Sequence, residues 1–161
     1  MTGEEWALAA ASFGSGLAAG FLGGLCTVLR PMQAAMDGPE FRAFMEKFLR
    51  YANSGWGKAY NYVWSAGTTI AAAVAFALLL DDPGAAAFVL TAIGLGVVTA
   101  GILVVSNVWK TPTYRMILAW DPAAMPADWT AGRQRYFTIN WLQLGTTWTA
   151  FALFLAALIA L

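Results

Sequence analysis

Charge is missing from four long stretches of this chain, residues 6–29, 59–80, 85–109 and 136–161. Each is built mainly of Ala, Leu, Val, Gly and aromatic residues. At a rise of about 1.5 Å per residue, each can cross a hydrocarbon core of roughly 30 Å as a helix. A charged side chain at mid-membrane costs about 2.5–3.5 kcal/mol on the insertion scale, which explains why none of the four carries one. The pattern predicts an all-α fold: an integral membrane four-helix bundle, formed by a single transmembrane domain over residues 1–161.

Between the first two spans the periodicity changes. Phe41, Phe44, Met45, Phe48 and Leu49 recur at helical spacing, while Arg42, Glu46, Lys47 and Arg50 take the opposite face. This is an amphipathic helix at the membrane surface, either lying in the interface or covering the end of the bundle. Asp37 is placed to cap it, with Glu40 three residues on. Pro31 is expected to end the first span. Asp81-Asp82-Pro83-Gly84 reads as a tight turn joining antiparallel neighbours. Pro112, Pro122 and Pro126 argue against one long helix after the third span, leaving Thr113 to Trp120 as a short surface helix. Asp128 is expected to cap the last helix.

Charge then orients the spans. Arg30, Arg42, Lys47, Arg50 and Lys58 fall in the first connection, and Lys110, Arg115, Arg133 and Arg135 in the third. The other side has only Glu4, Glu5, Asp81 and Asp82. The positive-inside rule puts both basic connections in the cytoplasm and both termini outside. The net charge of zero conceals this asymmetry.

Composition narrows the chemistry. The chain is 60% hydrophobic and 11% charged, against roughly 25% charged in soluble domains. It has no histidine, and its one cysteine, Cys26, falls within the first span. That leaves no disulfide, no usual transition-metal site and no histidine-ligated haem. No carboxylate occurs within a span, against a proton relay or cation path. No phosphate-binding loop is present, and topology accounts for the basic clusters without nucleic acid. No cofactor is expected.

Two polar or small-residue patterns remain. Gly16, Gly20 and Gly24 repeat every fourth residue, a face on which another helix, or lipid, packs closely. Asn61, Asn107, Asn140 and Gln143 fall at similar depth near the basic side, with Ser106 and Arg30 close by and Trp64, Trp109, Trp141 and Tyr136 around them. Such amides either bond across helices and lock the bundle or line a shallow cavity for a flat, partly polar molecule such as a quinone or polyphenol.

The layout resembles the anthrone-oxygenase-like family of small four-helix bacterial membrane proteins. The resemblance rests on Pro31 with the amphipathic helix Phe41 to Leu49, on Asn107 with Pro112, and on the series Trp129, Arg133, Tyr136 and Asn140. It implies a bacterial inner-membrane location and a pocket in which Asn107, Arg133 and Asn140 orient an aromatic substrate. Trp141 and Gln143 stand where the family often has histidine and arginine. A cofactor-free oxygenase needs a base, and with histidine absent the candidates left are Arg and Tyr. Two functions therefore stay open. One is a non-catalytic accessory or assembly subunit of a larger respiratory or photosynthetic membrane complex, with lipid and other membrane subunits as partners. The other is a cofactor-independent oxygenase acting on a polyphenol or quinone-like substrate.

Overall fold

The computed structural model describes residues 1–161, which form five helices and no strand. They are α1 (Gly3–Ala35), α2 (Gly38–Ala52), α3 (Gly55–Leu78), α4 (Ala86–Leu118) and α5 (Trp129–Ile159). All but α2 are long and apolar enough to cross a membrane. Capping boxes start the first two. Thr2 accepts from the Glu5 amide at 3.3 Å while the Glu5 carboxylate accepts from the Thr2 amide at 2.9 Å. Asp37 and Glu40 do the same at 2.9 and 3.1 Å, satisfying amides that no helical carbonyl reaches.

The long helices pack side by side: α1 lies against α5 and α3, and α4 lies against α5 and α3. Their shared interior is made of small and medium residues, among them Leu8, Ala11, Ala18, Ala72, Ala75, Val98, Ala150, Phe154 and Ala157. Phe13, Ile70, Val74, Ile93, Val104 and Trp148 point outward and are exposed. Between helices in lipid there is little hydrophobic drive, so close backbone approach and dispersion contacts hold the interior together.

Three glycines provide that approach. A Cβ at Gly14 would run into Thr68, one at Gly94 into the Phe154 ring, and one at Gly101 into Thr146. The four-residue stripe contributes less. Gly16 meets the Phe151 ring, whereas Gly20 and Gly24 face open space. Packing between the protein's own helices therefore uses the stripe at only one position.

Two sequence expectations are corrected. Pro31 and Pro112 do not end their helices, since α1 continues to Ala35 and α4 to Leu118. Wide π-helical turns, Leu25–Leu29 and Ser106–Lys110, precede the two prolines. A proline lacks its own amide hydrogen and collides with the carbonyl four residues earlier. A wide turn moves that carbonyl off the regular ladder and lets the helix continue. The segment from Thr113 onward is thus the end of α4 rather than a separate surface helix. Asp128 also departs from expectation: its side chain caps nothing, and its backbone carbonyl accepts from Ala131 at 2.9 Å instead.

Helix α2 covers the end of the assembly that carries the basic connections. Phe41, Met45 and Leu49 turn inward onto Ile117, Trp120, Tyr136 and Phe137, and Gly38 sits against Met125 and Trp129. Two arginines tie this layer to helix ends. Arg42 donates to the Leu118 carbonyl at 3.2 Å, and Arg133 donates to the carbonyls of Gln33 and Met36 at 3.2 and 2.8 Å. Both neutralise the terminal carbonyls of a helix with a cation, at the end where its dipole is negative.

Candidate functional site

Wide turns occur in three of the four long helices at the basic end. They span Leu25–Leu29, Val63–Gly67, Thr99–Val104 and Ser106–Lys110. Each adds girth to its helix and disturbs regular side-by-side packing, and such turns are frequent at functional sites. Here residues from all four border one cavity of about 410 Å3: Leu25, Trp64 and Ser65, Ile102 and Leu103, then Ser106, Asn107 and Lys110. Phe21, Phe48, Tyr114 and Thr111 complete most of the wall. A wider recess of about 760 Å3 adjoins it, sharing Phe21, Phe48, Ala52 and Asn61 and opening past Phe44, Tyr51, Trp56 and Tyr60. The two form a chamber with a few polar groups in a mainly apolar wall, and an aromatic vestibule.

The polar feature of the chamber is Lys110. Its side chain is 7% exposed, and its ammonium donates to Gln143 Oε1 at 2.6 Å. The Tyr114 ring lies 5.9 Å away on another side. Gln143 is itself fixed, donating through Nε2 to Ser106 Oγ at 2.9 Å and to the Gly101 carbonyl at 3.1 Å. Close approach at Gly101 brings α4 near enough to α5 for those bonds. No carboxylate joins this group, because the ion pairs of the chain involve only Glu5 and Glu46. Lys110 is a buried cation with a neutral partner and no counter-ion.

The predicted amides serve the fold more than the cavity. Asn61 lines the chamber, yet its Nδ2 donates to the Ala52 carbonyl at 2.7 Å and its Oδ1 accepts from Trp64 Nε1 at 3.1 Å. Asn107 also lines it, with Nδ2 committed to the Leu103 carbonyl at 2.8 Å. Gln143 stands behind Lys110. Asn140 is buried elsewhere, where its amide and that of Gln33 face the Tyr136 hydroxyl. There Asn140 Oδ1, Gln33 Nε2 and the Tyr136 hydroxyl oxygen all lack well-formed partners. Arg133 lies outside the chamber, clamped to the end of α1 and stacked 4.6 Å from the Trp129 ring centroid. Trp141 is 46% exposed and points outward. The six predicted residues therefore do not form one site: Asn61 and Asn107 line the chamber with Lys110 and Gln143 bonds that lysine, while Arg133, Asn140 and Trp141 lie apart from it.

Sequence reasoning passed over Lys110, Tyr114 and Thr111. Their signal was spacing, since Ser106, Lys110 and Tyr114 recur every fourth residue and Asn107 and Thr111 run alongside. Reading Pro112 as a terminator concealed it. Comparisons with protein-family profiles, curated proteins and solved structures gave no match for this chain.

Proposed function

We propose that this protein is a non-catalytic subunit of a larger membrane complex, with a chamber at its cytoplasmic end for a partly polar, membrane-soluble molecule. In this reading it forms a four-helix bundle in a bacterial inner membrane, with both termini outside and α2 on the cytoplasmic surface. The observation that carries it is the 410 Å3 chamber, where aromatic walls surround a few polar groups and an open vestibule adjoins it. Ligand sites commonly combine a mostly apolar wall with a few placed polar groups, in about this range of volume. Support for the subunit role comes from the outward face of α1, where Gly20 and Gly24 leave space for a foreign helix and Phe13 is exposed.

The test has two arms. Gentle solubilisation of the native membrane is expected to show the protein migrating with a larger complex at fixed stoichiometry. Purified protein is expected to quench Trp64 emission on titration with a short-chain quinone or a polyphenol. Migration alone defeats the subunit reading, and a flat titration defeats the pocket.

A second reading is favoured by Lys110. An amine at the chamber wall supplies, in its neutral form, the base that the resemblance to anthrone oxygenases calls for. It would take a proton from the ring methylene of an anthrone-type substrate. The carbanion then passes electrons to dioxygen, the oxygen–oxygen bond breaks with loss of water, and one oxygen atom stays as the new ring carbonyl. Oxygen uptake with an anthrone that Lys110→Met abolishes in folded protein would establish this reading over the first.

A further inference from the structure

We infer that the chamber takes an amphiphile whose head is a single anionic oxygen group, a carboxylate or phenolate, held by Lys110. This rests on the pocket reading above and names its ligand class. Asn61 has one amide N–H on a backbone carbonyl and its Oδ1 on Trp64, and Asn107 has one amide N–H on a backbone carbonyl, so each amide keeps one further N–H. The Ser65 hydroxyl donates to the Asn61 carbonyl. Among the lining residues the ammonium of Lys110 has three N–H bonds and one protein acceptor, the hydroxyls of Ser106 and Thr111 and the second amide N–H bonds add neutral donors, and Asn53 and Asn107 keep side-chain oxygens as neutral acceptors. The one charged group on this wall is the donor Lys110, so the site favours an anionic acceptor.

Charge points the same way. No Asp or Glu lines either the chamber or the vestibule, whereas Lys110 stands in the first and Lys47 at the rim of the second. The one acidic residue nearby in α2, Glu46, is occupied by Arg42 and Arg50. A cation removed from water without a counter-ion is costly, and an anionic head placed against it removes that cost. The vestibule, walled by Phe21, Phe44, Phe48 and Tyr60, suits the apolar body of the same molecule. A ring system and an acyl chain both meet these requirements, so the head group is the shared chemistry.

Two isosteric pairs separate charge from shape: 2-naphthoate with 2-naphthamide, and oleate with oleamide. Binding is measured to the whole protein in nanodiscs of phosphatidylcholine, which carries no net charge. In at least one pair the anion is expected to bind about tenfold more tightly than its amide, the size of one charge-assisted hydrogen bond. Lys110→Met should reduce that ratio to about one, and Lys110→Arg should retain most of it, as expected for a charge-assisted contact. Lys110→Gln makes the same comparison if the apolar variant does not fold. A preference in the ring pair marks an aryl ligand, and one in the chain pair an acyl ligand; either supports the inference. Equal binding of anion and amide overturns it while leaving the pocket intact, as does a preference that survives Lys110→Met. Failure of all four probes to bind overturns the pocket reading as well.

Discussion

The same four long helices are built differently at their two ends. Toward the Asp81–Gly84 turn they are regular and tightly fitted: Ala7, Ala11, Ala75, Ala87 and Ala157 let the backbones close up, and the Phe154 ring fills the space that Gly94 leaves. Toward the basic connections three of them contain wide turns, and bulky aromatics, a buried lysine and a cavity lie there. Interiors that pack closely leave no room for a ligand, so a site requires that the packing be interrupted somewhere. In this chain the wide turns and the two cavities described lie toward one end, while close packing at the other keeps the helices in register.

The sharpest way to break that contrast is at the tight end. Phe154→Ala removes a fully buried ring and should cost about 2–3 kcal/mol, somewhat less than in a water-soluble core because lipid replaces part of the apolar contact. Reversible unfolding in mixed detergent measures it, and a loss no larger than that of an exposed residue such as Phe13→Ala would refute the picture of a tight end. At the open end, Gln143→Leu strands the Lys110 ammonium and the Ser106 hydroxyl, at a cost of about 2 kcal/mol. Adding Lys110→Met should recover most of that loss. A double-mutant cycle reads the coupling, and additive effects would mean the two side chains do not interact.

Smaller effects test the cover over the open end. Asp37→Ala deletes a capping box and should cost about 1 kcal/mol. Hydrogen exchange would report it as faster exchange in the first turn of α2, at Glu40, with the amides of α3 unaffected. Least of all, Gly20→Leu should change the stability of the isolated protein by less than about 0.5 kcal/mol, the usual range for surface positions, because nothing lies within 4 Å of the added carbon. The same substitution should disturb co-migration with a larger complex if α1 is the docking face. Unchanged migration would move that interface elsewhere.

Much of the architecture was legible because its causes are local. The four charge-free stretches mark the four long helices, and the spacing of Phe41, Met45 and Leu49 marks the buried face of α2. The capping box at Asp37 was readable because donor and acceptor lie three residues apart. The candidate site was harder. Asn61 and Asn107 line the chamber and Gln143 bonds Lys110, but a similar depth along the chain does not say which way a side chain turns around its helix. Trp141 turns outward, Arg133 reaches the end of α1, and Asn140 lies against Tyr136. Helix ends were misjudged at Pro31 and Pro112, because a proline's effect depends on whether the preceding turn stays regular.

By itself, then, the sequence determined the number of long apolar helices, the gathering of basic residues into two connections, and the class of side chain near each end. Those are sums over neighbouring residues, and hydrophobicity and charge add along a chain. Only the tertiary structure decided that Lys110 is buried, that Gln143 from another helix holds it, and that the amides are spent on backbone carbonyls. The physical reason is that a hydrogen bond between α4 and α5 depends on the rotation and spacing of both helices. Those were set by a glycine at position 101 and by wide turns that no single residue announces.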